Sequence, residues 1–496
     1  MPNRRDFLRA LSLAGAGSAA HLAMPGARRR GDVTVLRGAT LIDGTGRPPV
    51  RDAAVVIAGE WIVWAGTVRD LRAPRGARVV DLRGKFLLPG LWDMHSHGTY
   101  QERIGLPLLI ANGVTGVRDM WGTPPLFELR GRIEKGEVLG PRQVIASNVV
   151  DGPVSLLGPP VTKVATEAEA REAVHAAREL GADFMKVYSY LEPHTYRAIL
   201  GEARRLGLPV GGHLPYLVPA AEASRAGHRA FEHLFGQLLA VSSREEEFRR
   251  RMAETPIDPA RPRVWFDMVR EFERLAAESQ DEARAREFHR MLRRNRTWQS
   301  PTLTVLRVIS SPLDTYANDP RLKYVTAADR ELWVRALKLF APVTPEQIAA
   351  QRRYFRNQLA IVGRMHRAGV GVLGGTDCMN PYVFPGFSAH DELELLVSAG
   401  LSPMAAIQTM TRDAARYLGR SATTGTVAPG RAADLFAVEA NPLADIRNTA
   451  RVHSVVVRGR YISPGHRQRL LDDAEAAAGD PATPALARPV CACHGL

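Results

Sequence analysis

The centre of this chain repeats one pattern, a short apolar run followed by a stretch with helical spacing. Eight such runs stand at 87–97, 114–120, 143–150, 184–190, 209–214, 228–234, 297–306 and 370–376. Strands buried on both faces read as continuous apolar runs, not as strict alternation. Eight β units alternating with helices over about 300 residues predict a closed (β/α)₈ TIM-like barrel in preference to an open sheet. One intervening helix is well marked: Thr166 and Glu169 form a capping box, and Gly181 sits where the helix should stop.

Both flanks of this region are β-like. Val33-Thr34-Val35-Leu36, Ala54-Val55-Val56-Ile57 and Trp61-Ile62-Val63-Trp64 are separated by turn residues, and the style returns in Ala433–Val438 and Val452–Gly459. The expected division is a β-sandwich assembled from residues 32–88 and 424–466, around a barrel at 89–423. Two long charged, helical excursions, near 241–296 and 311–354, flank the seventh strand, as lids over a barrel mouth or as simple decoration of the barrel.

The two ends read differently again. Arg4-Arg5-Asp6-Phe7-Leu8-Arg9 precedes a mild run of Ala, Leu, Gly and Ser, so residues 1–31 resemble a twin-arginine signal peptide. The expected partner there is the twin-arginine export machinery, and the expected location is periplasmic or extracellular. Residues 467–496 are expected to be a tail, ending in Cys491-Ala492-Cys493-His494. That ending is one residue short of C-x-x-C-H and does not complete a zinc site; three cysteines also make no disulfide framework.

The formal net charge of +14 would suit anionic partners. Its basic residues lie among acidic ones, as in Arg244-Glu245-Glu246-Glu247, with no basic stripe interleaved with aromatics. This is a solvated surface, and no nucleic-acid partner is expected.

The chemistry gathers at the predicted strand ends. In Asp93-Met94-His95-Ser96-His97, the two histidines are two apart and share a strand face, so they can converge on one ion, with Asp93 near enough to orient a ring. His213 and His233 end the fifth and sixth strands, and Asp377 follows the eighth. Singly, each has a plain structural reading: a packed histidine, or an aspartate capping a helix. Together they stand on the face where barrels of this kind build active sites. His390 falls beyond the eighth strand, where it borders the pocket or begins a helix.

The order H-x-H at strand one, Lys186 at four, His213 at five, His233 at six and Asp377 at eight resembles the binuclear amidohydrolase superfamily. The phrases 112–120 and 425–435 are similar to it as well, in the style of its Xaa-Pro dipeptidase and imidazolonepropionase-like branch. The resemblance implies two divalent metal ions held by His95, His97, Lys186, His213, His233 and Asp377, with Lys186 carbamylated and bridging. A bare ammonium cannot bind a metal, so an unmodified Lys186 would instead pair with a carboxylate. Such a histidine-rich set favours zinc, with manganese, cobalt or iron as the alternatives.

The implied reaction is hydrolysis of an amide or peptide-like C–N bond by a metal-bridging hydroxide, in a small-molecule substrate such as a dipeptide or N-acyl amino acid. Asp377 would shuttle the proton, and Tyr188, two residues beyond Lys186, would donate to the developing oxyanion. Opening of a cyclic amide or lactone, and a catalytically silent exported binding protein, are the other readings. Oligomeric state is open, a homo-oligomer included.

Overall fold

A computed structural model describes residues 33–158, 160–258, 260–338 and 341–485. The twin-arginine segment and the Cys-Ala-Cys-His ending lie outside the described residues. No described helix is long and apolar enough to cross a membrane.

The first sheet is made from both flanks. Strands Val33–Leu41 (β1), Val50–Ala58 (β2), Trp61–Thr67 (β3), Arg78–Asp81 (β4) and Phe86–Pro89 (β5) come from the front. The sheet is completed near the other end of the chain, by three strands that pair antiparallel onto β5 and one another. Its β3 edge also hydrogen-bonds to residues 430–433, so the sheet folds back around a core of its own that includes Leu36, Val55, Ile62, Leu87 and Leu435. These are the apolar halves of alternating strands, which is why the flanks were legible as β structure.

The expected first barrel strand, 87–97, is two strands in two sheets. The chain leaves β5 at Pro89 and enters the barrel as Leu91–Ser96 (β6). Gly90 makes the transfer: a Cβ there would lie 2.1 Å from the Thr115 hydroxyl oxygen, so only glycine lets the chain pass so close to its neighbour. The barrel continues through Val114–Asp119 (β7), Arg142–Asp151 (β8), Phe184–Val187 (β10), Val210–Gly212 (β11), His228–Glu232 (β12) and Trp298–Ser300 (β13), all parallel. The short Thr162–Lys163 (β9) pairs beside β8.

The expected eighth strand closes the ring without forming a regular ladder. Residue 371 accepts from Gln299 N and Leu373 N donates to Gln299 O on one side. On the other, Met94 N donates to Gly374 O at 3.0 Å, and Asp377 N to His95 O at 2.7 Å. Gly375 permits the approach, since a Cβ there would lie 2.6 Å from the His95 nitrogen. Seven paired strands plus this segment make the (β/α)₈ barrel.

Two expectations need correction. The seventh run, 297–306, is a strand only over Trp298–Ser300, and Leu303–Ile309 is helical. Pro301 has no N–H to continue the ladder, Thr302 turns the chain with φ 47°, and Glu392 accepts from Leu303 N, Thr304 N and the Thr304 hydroxyl. The expected tail at 467–496 is instead occupied in its described first part by the helix Pro464–Gly479. Ser463 caps it, and Leu471, Ala474 and Ala478, at helical spacing, pack on Ile104 and Leu108 of the helix Glu102–Ala111. The sequence here is too rich in alanine to advertise that stripe.

The capping box holds: Thr166 accepts from Glu169 N at 3.2 Å, and Glu169 accepts from Thr166 N at 3.1 Å. The excursions both reach the strand-end loops. Trp265, on the helix Pro262–Glu278, meets Tyr216 with ring centroids 5.7 Å apart. Trp333, on Ala327–Lys338, packs on Tyr382 and Phe384 just beyond Asp377. The last three strands, Leu435–Val438 (β14), Val452–Val457 (β15) and Arg460–Ile462 (β16), complete the first sheet.

Candidate metal centre

The strand ends bring the histidines to one place. His95 Nε2 and His97 Nε2 stand 3.4 and 3.3 Å from Asp377 Oδ1, and His233 Nδ1 stands 3.7 Å from Asp377 Oδ2. Ring centroids are 4.5 Å apart for His95 and His233 and 4.7 Å for His213 and His233. All four rings and the carboxylate therefore share one end of the barrel. His95, His213, His233 and Asp377 are buried; His97 alone is partly open.

Three of the rings are held through Nδ1. His95 Nδ1 pairs with Glu232 Oε2 at 2.8 Å, His213 Nδ1 with the Ser189 hydroxyl at 2.8 Å, and His233 Nδ1 with the Thr302 hydroxyl at 2.7 Å. Engaging one nitrogen fixes the ring and its tautomer; in His233 the engaged Nδ1 is also the nitrogen nearest Asp377. Burial, the largest influence, pushes His95 down to about 4 against the pull of Asp377 and Glu232. Its imidazole is therefore neutral near pH 7, as a metal ligand must be.

This donor set fits divalent cations. Among the described residues, His95, His233 and Asp377 each offer a ligand atom within 4.8 Å of the others. Imidazole nitrogens with one carboxylate are what borderline first-row ions take. Lys186 lies in the same buried cluster, where desolvation lowers it to about 8 while Glu232 and Asp377 pull it up.

Tyr188 directly follows β10, which ends at Val187. Its ring stacks on His213, with centroids 4.0 Å apart and planes 26° from parallel. Asp93 orients no ring: its carboxylate accepts from Thr376 N at 2.9 Å, the Thr376 hydroxyl at 2.6 Å and His95 N at 3.2 Å. It thus clamps the closing segment to β6, one residue before Asp377. Burial raises Asp93 to about 7 despite these bonds. Asp377 caps no helix; the next one begins at Phe387. His390 lies in that helix and bonds the Asn112 carbonyl at 3.0 Å, a packing role.

Two residues that sequence reasoning passed over stand behind this cluster. Glu232 holds His95 and also forms an ion pair with the fully buried Arg118. Burial alone would raise Glu232, but Arg118, then His95 and Lys186, outweigh it and hold the carboxyl at about 2. The signal was present: charges on strands buried on both faces must find partners.

Backbone strain concentrates here. Of nine described non-glycine residues with positive φ, six are His233, Leu234, Thr302, Asp377, Met379 and Tyr382. Such conformations cost of order 1–3 kcal/mol each and persist where surrounding contacts enforce them. Of the six, His233 and Asp377 carry side chains of the cluster, and Thr302 carries the hydroxyl that bonds His233.

The chain is similar to several known proteins in sequence and in fold. A sequence profile described as the amidohydrolase family matches residues 322–462, the stretch holding Asp377 and the returning β strands. Ochratoxinase of Aspergillus niger is 23% identical over 482 residues, covering 84% of this chain and 83% of that protein. Among solved structures, a bottromycin amidohydrolase superposes with a TM-score of 0.70 at 25% identity, covering 91% of each chain. A Xaa-Pro dipeptidase with methionine bound in its active site gives 0.62 at 20% identity, over 87% of this chain and 100% of that one. These likenesses in sequence and fold support the amidohydrolase superfamily, hydrolases acting on carbon–nitrogen bonds, as the family this chain resembles.

Proposed function

We propose that this hydrolase cleaves an amide or peptide-like bond in a small substrate, a dipeptide or an N-acyl amino acid, at a two-metal centre. The observation that carries the reading is the convergence of His95, His97 and His233 on Asp377, with the rings of His95, His213 and His233 each hydrogen-bonded through Nδ1. The bottromycin amidohydrolase and ochratoxinase relatives support the amide class.

His95, His97 and Asp377 would hold one cation, and His213 and His233 the other. Lys186 would lie between them as a carbamate, which turns a buried amine into a carboxylate ligand. Divalent ions there, zinc the best suited, would supply Lewis acidity and lower the pKa of water toward about 7. Asp377 takes the proton of the attacking water on a carboxylate oxygen and returns it to the leaving nitrogen. The Tyr188 hydroxyl, on a ring fixed against His213, donates to the oxygen that gains charge. The Arg4-Arg5 leader supports export of the folded protein through the twin-arginine route.

The test is metal analysis of purified protein, with turnover of a panel of dipeptides, N-acyl amino acids, cyclic amides and lactones before and after chelation. The expected result is two metal equivalents and chelator-sensitive cleavage of open-chain amides. Turnover confined to cyclic substrates would reject the substrate class, and turnover indifferent to chelation would reject the centre. For Lys186→Ala, fewer than two equivalents and a large loss of kcat are expected. Two full equivalents with retained activity would remove the bridging role.

A further inference from the structure

We propose that Arg118 and Glu232 are positioning residues, a buried relay that sets how His95 presents its free nitrogen to the metal centre. The inference rests on the metal-centre reading above.

Glu232 divides its two oxygens. Oε2 lies 2.8 Å from His95 Nδ1, and Oε1 is taken by the Arg118 guanidinium. A carboxylate only accepts, so His95 must carry its proton on Nδ1, and Nε2 is left as a lone pair 3.4 Å from Asp377 Oδ1. One side chain thus chooses both the tautomer and the direction of the ring.

Arg118 makes that choice rigid. Its guanidinium sits over the rings of Phe184 and Tyr417, 5.1 and 5.2 Å from their centroids, and Nε donates to Met120 Sδ at 3.1 Å. With its position fixed by packing, its charge permanent and its fork planar, it can hold Glu232 in a single orientation. The relay ties three staves: β7 carries Arg118, β12 carries Glu232, and β6 carries His95. Because Glu232 directly precedes His233, the same clamp fixes the strand that delivers a second ring.

A purely structural ion pair is the competing account. Burying both charges completely is costly, and apolar side chains of similar volume would serve stability as well or better. Stability therefore explains the pair poorly, whereas orienting His95 accounts for both contacts of Glu232.

The measurement is zinc affinity of metal-free, full-length protein, by competition with a chromophoric chelator, together with thermal unfolding of the same metal-free samples. In Glu232→Gln the amide nitrogen must face a donor on one side, so one contact breaks; zinc should bind about 10–100-fold more weakly. The double variant Arg118→Met with Glu232→Met removes both charges. It should unfold at or above the wild-type temperature and still bind zinc weakly. Wild-type affinity in folded Glu232→Gln, or affinity that returns with stability in the double variant, would overturn the relay. Wild-type protein that binds no zinc or other divalent ion would take down the metal-centre reading itself, a result distinct from either.

Discussion

The same staves are built from opposite materials along their length. Within the barrel, Trp92, Phe184, Ala230, Trp298 and Leu373 form an apolar plug, packed on Ala414 and Tyr417 of the helix Arg412–Tyr417. At the carboxyl ends, His95, Lys186, His213, Glu232, His233 and Asp377 are equally buried but polar, and the backbone there is strained. The plug holds the strands together; the mouth gives up part of that stability to bring the candidate ligands together. Arg118 spans the two, with its guanidinium against aromatic faces of the plug and its charge on Glu232.

This contrast breaks if the mouth proves as important for stability as the plug. The largest effect should come from Asp377→Asn, which keeps the shape but removes the proposed base. We expect kcat/KM to fall by about 10²–10⁴-fold, the usual worth of a positioned acid–base group, with little change in unfolding of the metal-free protein. A variant that unfolds readily without metal would show Asp377 to be structural.

Trp298→Ala should do the reverse. Emptying a buried tryptophan site costs about 3–5 kcal/mol, so chemical denaturation should shift strongly while folded molecules still bind metal. Loss of metal from a fully folded Trp298→Ala protein would mean that plug and mouth are one unit.

How much of this was readable beforehand follows the same division. The barrel was legible because its strands are apolar throughout, and the histidines because they stand at the ends of those runs. The break at Gly90 was not, since 87–97 reads as one run and only the close approach of Thr115 makes the glycine necessary. The early end of the seventh strand was hidden likewise, because Leu303 to Leu306 are as apolar on a helix as on a strand; Pro301 was the available warning. Asp93 was misread because strand spacing says which residues are near, not which hydrogen-bond donors reach them first. Arg118 and Glu232 escaped because their meaning lies in pairing across strands far apart in sequence, which periodicity does not carry.

The smallest expected effect tests whether the excursions belong to the mouth. Glu273, on the helix Pro262–Glu278, accepts from Gly236 N at 2.8 Å, just beyond His233. Burial pushes this carboxyl up to about 7, against that bond and the nearby Arg249. Between about pH 4.5 and 7 the unfolded chain therefore releases this proton while the folded one keeps it. Stability from the group is present below pH 4.5 and is lost as pH rises through 7. Glu273→Gln keeps an oxygen for Gly236 N and has nothing to ionise. Relative to wild type, the metal-free variant should gain about 2–3 kcal/mol between pH 4.5 and 7.5 in denaturant titrations, since each pKa unit is worth about 1.4 kcal/mol. A difference that stays flat with pH would mean that water reaches Glu273, and that the helix lies loosely over the strand end instead of sealing it.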